Sequence, residues 1–331
     1  MAASCQNVAR TLAAVAARRP ALEPVLRAFE DVLTARAALA AELSAERAAE
    51  LSAERADAAG MAEDGGPRLP DWSGERAEQG RSLLAGVPLT GLRAAVRRTA
   101  ETLLPLLCAK GDVAAHKAAL EAFFLAPAQS RRDRRDVLAE AVLAGDASTF
   151  QRLAAEAGLP PEVLEFVAEF VLSPPLRALA DQAGRAGQNA PWDEAGAWRQ
   201  GYCPVCSSFP VMGWLDKPAF DEKNAFLSGG GGKKHLYCSL CGTSWTFRRG
   251  ACPACGEEGN GVMEILRESG KSRGERLDWC TKCKSYCPTV DLRECGGVPD
   301  MDAMALGMMH LDMVAARKGL SPLKASFWNL F

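Results

Sequence analysis

Histidine is close to absent from this 331-residue chain, which has three: His116, His235 and His310. So few imidazoles leave little for general acid–base work. No HExxH pair, Ser/His/Asp grouping or glycine-rich nucleotide fingerprint occurs, and an enzyme is not expected. Excess charge of one sign is missing as well. Lys and Arg number 39 against 41 Asp and Glu, a formal net charge of −2, so there is no broad basic field for nucleic acid. No apolar run approaches the roughly 18 residues that a membrane span needs, and membrane insertion is not expected. The stretch Thr11–Ala17 is short, and Arg18-Arg19 follows it instead of preceding it. Pro20 and Glu23 then stand where a twin-arginine export signal needs a long apolar segment. A cytoplasmic protein is the resulting expectation.

What the chain does have is cysteine, 12 in all, ten of them between residues 203 and 295. Eight form Cys-x-x-Cys hooks: Cys203/Cys206, Cys238/Cys241, Cys252/Cys255 and Cys280/Cys283. Two intervening residues turn the backbone so that both sulfurs of a hook face one ion. A tetrahedral zinc or iron ion takes four such soft ligands, so four hooks furnish two sites. In a reducing compartment this pattern points to metal before disulfides. Pairing in sequence order is the simplest assembly, and spacing alone leaves an interleaved arrangement open. Glycine follows the second cysteine in the hooks ending at Cys241 and Cys255, where it eases the turn. Ser207 and Lys284 occupy the equivalent positions of the other two, which is less favourable but feasible. Cys287 and Cys295 are left over, with Cys287 near enough to Cys283 to compete as a ligand. His235, just before the second hook, is a further possible ligand, although four sulfurs already suffice.

Composition divides the chain near Trp198. Alanine-rich segments with apolar residues at helical spacing precede it; glycine, short strands and the hooks follow. A long helix is expected from Glu23 to Ala56, containing the repeat ELSAER at 42–47 and 50–55, with Leu39, Leu43 and Leu51 on one packed side. Residues 57–75 read as a loop. Further helices are expected over about 76–85, 90–109, 112–125, 131–144, 147–157 and 161–171, with Pro160-Pro161 and Pro174-Pro175 punctuating the last. Cys108 reads as a buried small hydrophobe. The run Gly229–Gly232 reads as a loop between the first two hooks. A closing helix over 301–318 is expected, capped by Asp300 or Asp302 and ended by Gly319, with Met301, Met304, Met308, Leu311 and Ala315 as its packed stripe. The fold class is therefore α+β: a multi-helical domain over 1–198, a metal ribbon over 199–247, and a second ribbon with the closing helix over 248–331.

Closed four-cysteine sites leave no position for substrate, so metal-assisted hydrolysis is not expected. Two other uses of the hooks remain. Iron held by four cysteines can shuttle an electron, as in rubredoxin. Tyr237, Trp245, Phe247, Arg248 and Arg249 could form an aromatic and basic surface for single-stranded nucleic acid. The second use is weakened by charge: residues 199–331 carry 17 Lys/Arg against 14 Asp/Glu, and two four-thiolate sites bring the loaded module to near neutrality.

The stretches GYCPVCSSFPVMG (201–213), LYCSLCGTSW (236–245), RRGACPACG (248–256) and WCTKCKSY (279–286) together resemble the formate dehydrogenase accessory protein FdhE family. The ending LDMVAARKGLSP (311–322) is similar to that family's closing helix, and GVPL at 86–89 has a counterpart there. Ser207, Ser244 and Pro288 depart from the family pattern. The resemblance implies a helical domain followed by two rubredoxin-like ribbons holding two ions, iron or zinc. It further implies a non-enzymatic maturation factor that binds the formate dehydrogenase catalytic subunit in the cytoplasm before export. Trp245 and Arg249 are candidates for the partner-facing surface; the alternative for Trp245 is ribbon packing, and for Arg249 simple solvation.

Overall fold

The computed structural model describes residues 2–56, 69–127, 133–184, 190–193, 197–217, 232–268, 273–295, 297–326 and 329, without the side chains of 2–4 and 51–56. Most of the 57–75 loop and the glycines 229–231 lie outside that description, as do the side chains of 51–55 in the second ELSAER copy, Leu51 among them.

Helices α1 (Ala2–Arg18) and α2 (Glu23–Ala56) form a hairpin through a short turn at Pro20–Leu22. On α2, Leu26, Leu33, Leu39 and Leu43 are buried, and the helix packs against α4 (Arg93–Leu107) and α8 (Pro161–Gln182). Between these lie α3 (Gly74–Glu78), α5 (Lys117–Leu125), α6 (Arg134–Ala144) and α7 (Ala147–Ala157). Asp133 and Asp136 form a capping box on α6, which starts at Arg134 and not near 131, and Asp146 caps α7, which begins where expected.

Several expectations about helices change. The helix expected to stop near 171 continues to Gln182 through Pro174 and Pro175. Each proline removes an N–H donor, yet every residue from Val163 to Ala180 except Glu165 and Glu169 is buried, so packing on all sides overrides the breakers. The helix expected over 76–85 is the five-residue α3, after which the chain leaves helical geometry. Its backbone is used elsewhere: the N–H groups of Leu83 and Leu84 donate to the carbonyls of Pro204 and Val205 at 2.9 Å, and Ser82 Oγ donates to the Cys203 carbonyl at 2.8 Å.

Seven strands form one sheet in the order β3-β2-β1-β6-β5-β4, with β7 beside β6. They are β1 (Met212–Leu215), β2 (Lys234–Tyr237), β3 (Ser244–Phe247), β4 (Met263–Leu266), β5 (Glu275–Cys280), β6 (Ser285–Asp291) and β7 (Ser321–Pro322). β1–β3 and β4–β6 are two antiparallel meanders, each in the order hook, strand, strand, hook, strand. They are joined edge to edge by parallel pairing of β1 with β6. The segments 199–247 and 248–331 thus contribute to a single mixed sheet.

The closing helix is two pieces, α9 (Met301–Gly307) and α10 (Met309–Arg317). Asp300 caps the first, and the Leu320 N–H bonds the Ala315 carbonyl at 3.0 Å around Gly319 (φ +67°), closing the second. Met304, Met308, Leu311 and Ala315 are buried, with α9 against α1 and α2 and α10 against β6, so the methionine stripe is core. Arg18 and Arg19 anchor the helical hairpin to the sheet: their guanidinia meet the carboxylate of the buried Glu275 on β5 at 2.8 and 2.9 Å.

Candidate metal centres

The eight hook cysteines gather into two quartets, and each quartet uses consecutive hooks. Cys203, Cys206, Cys238 and Cys241 form the first; Cys252, Cys255, Cys280 and Cys283 form the second. Within each, all sulfurs lie within 4.8 Å of one another. The closest pairs are Cys203–Cys241 at 3.4 Å and Cys206–Cys238 at 3.5 Å, then Cys252–Cys283 at 3.6 Å and Cys255–Cys280 at 3.8 Å. Four sulfurs about 2.3 Å from a common tetrahedral centre stand about 3.8 Å apart, so both quartets fit a zinc or iron ion. All twelve cysteines are free thiols.

Each hook is built by the same turn. The N–H of the residue after the second cysteine bonds the carbonyl of the first, from Ser207, Gly242, Gly256 and Lys284, at 2.9–3.1 Å. That residue takes a left-handed conformation in all four hooks, with φ of 65°, 73°, 75° and 63°. Ser207 and Lys284 therefore accept a strain of about 1–2 kcal/mol each that glycine avoids. A hydroxyl lies beside the last sulfur of each quartet: Thr243 Oγ1 is 3.1 Å from Cys241 Sγ, and Ser285 Oγ is 3.1 Å from Cys283 Sγ. Once those sulfurs are thiolates, both hydroxyls can donate to them.

The quartets differ in surroundings. All four cysteines of the first are buried and belong to the main core shared with the helices. Burial pushes the Cys203 and Cys206 thiols well up, whereas Cys238, despite burial, is held well down by its neighbouring thiols. A bound cation would favour the thiolate form of its sulfur ligands. In the second quartet Cys255 and Cys283 are exposed, while Cys252 and Cys280 sit in a small separate cluster with Val262 and Met263. Burial opposes ionisation of Cys283, but hydrogen bonds from the Ser285 hydroxyl and N–H bring it down to about 7.

No protein-family model matches the chain. It is 29% identical over 173 residues to the Protein FdhE homolog of Aquifex aeolicus (strain VF5), covering 52% of this chain and 54% of that relative. The Protein FdhE homolog of Shewanella baltica (strain OS185) is 28% identical over 129 residues, 38% of each chain. The chain thus aligns with about half the length of the first of these curated relatives and with less of the second. The crystal structure of the FdhE protein from Pseudomonas aeruginosa superposes with a TM-score of 0.56 and 21% identity, covering 98% of this chain and 95% of that one, which establishes a shared fold. The chain is thus similar to FdhE proteins in sequence over about half its length and in fold over nearly all of it.

Cys287 is buried on β6 outside both quartets, its thiol pushed up to about 12 by burial. His235 is no ligand: its ring stacks on Trp214 at 3.9 Å, and burial lowers its pKa. Trp245 has no exposed surface, and its Nε1 donates to the Gln200 carbonyl at 3.2 Å. It packs the ribbon, which corrects its assignment to a partner-facing surface. Tyr237 and Phe247 are buried too, so these aromatics form no stacking platform for nucleic acid. Arg249 is exposed in the turn after β3.

Sequence reasoning missed the polar bridge between the helices and the first quartet. Arg36 on α2 and Arg177 on α8 both reach the Asp302 carboxylate on α9 at 2.7 Å, and all three residues are buried. Arg177 also donates to the carbonyl of Ser239, inside the second hook, at 2.6 Å. Lys324 pairs with Glu169 at 2.6 Å; burial opposes its charge, but Glu169 and the Cys238 and Cys206 sulfurs hold its pKa well up. Nothing local in the sequence distinguishes these residues from solvated ones. Gly201 matters for packing: a Cβ there would lie 1.9 Å from the Pro253 carbonyl oxygen in the third hook, so its bareness lets the segment before the first hook touch the third.

Proposed function

We propose that this protein is a non-enzymatic accessory factor in formate dehydrogenase maturation, binding the enzyme's catalytic subunit in the cytoplasm before export. Two rubredoxin-like ribbons, each holding one zinc or iron ion through four cysteines, build the half of the molecule that the helical domain supports. The observation that carries this reading is the closure of both quartets by consecutive hooks, in a chain whose hook motifs resemble those of the FdhE family. Four protein sulfurs complete a tetrahedral ion, so the centres offer scaffold and charge instead of an open position for substrate. A bound ion supplies cross-linking of distant hooks and, if it is iron, one-electron chemistry. The chain's own residues do the rest: the left-handed turns aim the sulfurs, and Thr243 and Ser285 stand ready to hydrogen-bond them.

A tagged pull-down from the native host growing on formate tests the proposal by mass spectrometry. Recovery of a formate dehydrogenase catalytic chain is expected. Its absence, with normal formate dehydrogenase assembly in a deletion strain, would overturn the reading. The exposed Cys255 and Cys283 favour one second reading, electron transfer through iron in the second quartet. Redox-inert zinc in both sites of natively purified protein would exclude it.

A further inference from the structure

A cleft of about 380 Å³ lies between α1 and the sheet, away from both quartets. Val15, Pro299 and Met304 give it an apolar lining, and Val298 beside them is 62% exposed. Three arginines line it as well: Arg10 and Arg18 from α1, and Arg273 from the turn leading into β5. Among the described residues its single carboxylate, Glu294, is already paired with Arg267 at 2.7 Å. Arg10 bonds the neutral Asn7 side chain, and Arg273 has no side-chain partner among the described residues. Arg18 spends Nη2 on Glu275 and Nη1 on the Ala14 carbonyl, both within 2.9 Å, while its buried Nε has no hydrogen-bond partner among the described residues. The cleft is therefore apolar in its lining and short of negative charge.

Geometry narrows the ligand. Arg10 and Arg18 are eight residues apart on α1, which separates their Cα atoms by about 12 Å. One small anion meets both guanidinia only if both side chains turn toward it, and Arg18 already turns to Glu275. An extended chain covers that distance in three to four residues at about 3.3 Å each. We propose that this cleft binds an extended peptide segment carrying carboxylate side chains beside apolar ones. The proposal rests on the accessory-factor reading in that the partner protein supplies the segment.

The test immobilises the full, metal-loaded protein and offers it a degenerate decapeptide library, with captured composition read by mass spectrometry. Wild type is compared with Arg10→Glu/Arg273→Glu, and with Arg152→Glu on the exposed face of α7 as a control. Both altered cleft positions are exposed, and metal content with far-ultraviolet circular dichroism confirms folding. Wild type and control should enrich acidic–apolar peptides about tenfold over the double variant, since like charge across an interface repels. Equal capture by wild type and double variant, or no acidic enrichment, overturns the proposal. Complete elution by millimolar inorganic phosphate, where a lysine-for-glutamate peptide fails to elute, identifies a small-anion site and also overturns it. Pull-down of the catalytic subunit with the same variants keeps the two readings apart. Failure of wild type to retain it counts against the accessory role, while the library result still decides the cleft.

Discussion

The unequal burial of the two quartets predicts that a chelator empties them one after the other. In the second quartet Cys255 and Cys283 are exposed, and its apolar support is Cys252, Val262, Cys280 and Met263. Local opening there disturbs few buried contacts. In the first quartet all four cysteines are buried within the main core, and Arg177 and Ser82 brace the hook carbonyls. Reaching that ion requires opening a large part of the fold, whose whole stability is on the order of 5–15 kcal/mol. If opening the first site costs about 5 kcal/mol more, its ion leaves several thousand times more slowly, at about 1.4 kcal/mol per tenfold. The assay follows metal transferred to a chromophoric chelator from doubly loaded protein. One equivalent should leave quickly and the second slowly, the slow phase accelerating with urea. Cys283→Ser should remove the fast phase alone, whereas Cys206→Ser should lower the thermal midpoint and loosen the helical domain. Loss of both equivalents in one phase, or loss of the fast phase in Cys206→Ser, would refute the argument.

Three further outcomes follow from single contacts. Asp302→Asn leaves Arg36 and Arg177 buried without their shared carboxylate and should cost about 3–5 kcal/mol in urea unfolding; a loss under 1 kcal/mol would mean the bridge is not formed. Gly201→Ala places a methyl against the Pro253 carbonyl and should destabilise by at least about 2 kcal/mol, speeding release from the second site; unchanged release and stability would contradict the close approach. Asp312 accepts from the Tyr286 hydroxyl at 2.8 Å, and burial raises its pKa to about 7. A carboxyl whose folded pKa exceeds the unfolded value of about 3.9 contributes stability that is full below pH 3.9 and lost as pH rises to 7. Asp312→Asn should therefore gain a few kcal/mol relative to wild type between pH 4 and pH 8; parallel pH profiles would show that Asp312 is not raised.

How much of this was legible depended on whether the cause was local. The hooks were, because two sulfurs on one turn are a local device, and so was the order of the quartets as the simplest option. The bounds of α2 and α7 were legible from pattern and from the Asp146 cap. The passage of α8 through Pro174-Pro175 was not, since burial from several sides overrides a local breaker. Ser82–Leu84 were misread as helix because their backbone partners, Cys203–Val205, lie about 120 residues away. The β1–β6 pairing that fuses the ribbons is a long-range parallel register with no local signature. Arg18-Arg19, set aside as an incomplete export motif, are tertiary anchors for Glu275. Trp245 carries the same lesson in reverse, an aromatic next to arginines that the fold uses as core.

The central claim is that eight named cysteines close two separate metal centres. Metal analysis joined to X-ray absorption on natively purified protein tests it most directly. Two ions per chain are expected, each with four sulfurs at about 2.3 Å, falling to one ion in Cys203→Ala/Cys241→Ala and to one in Cys255→Ala/Cys283→Ala. A single ion in the wild-type chain, nitrogen or oxygen in its coordination shell, or loss of both ions on removing Cys255 and Cys283 would contradict the account.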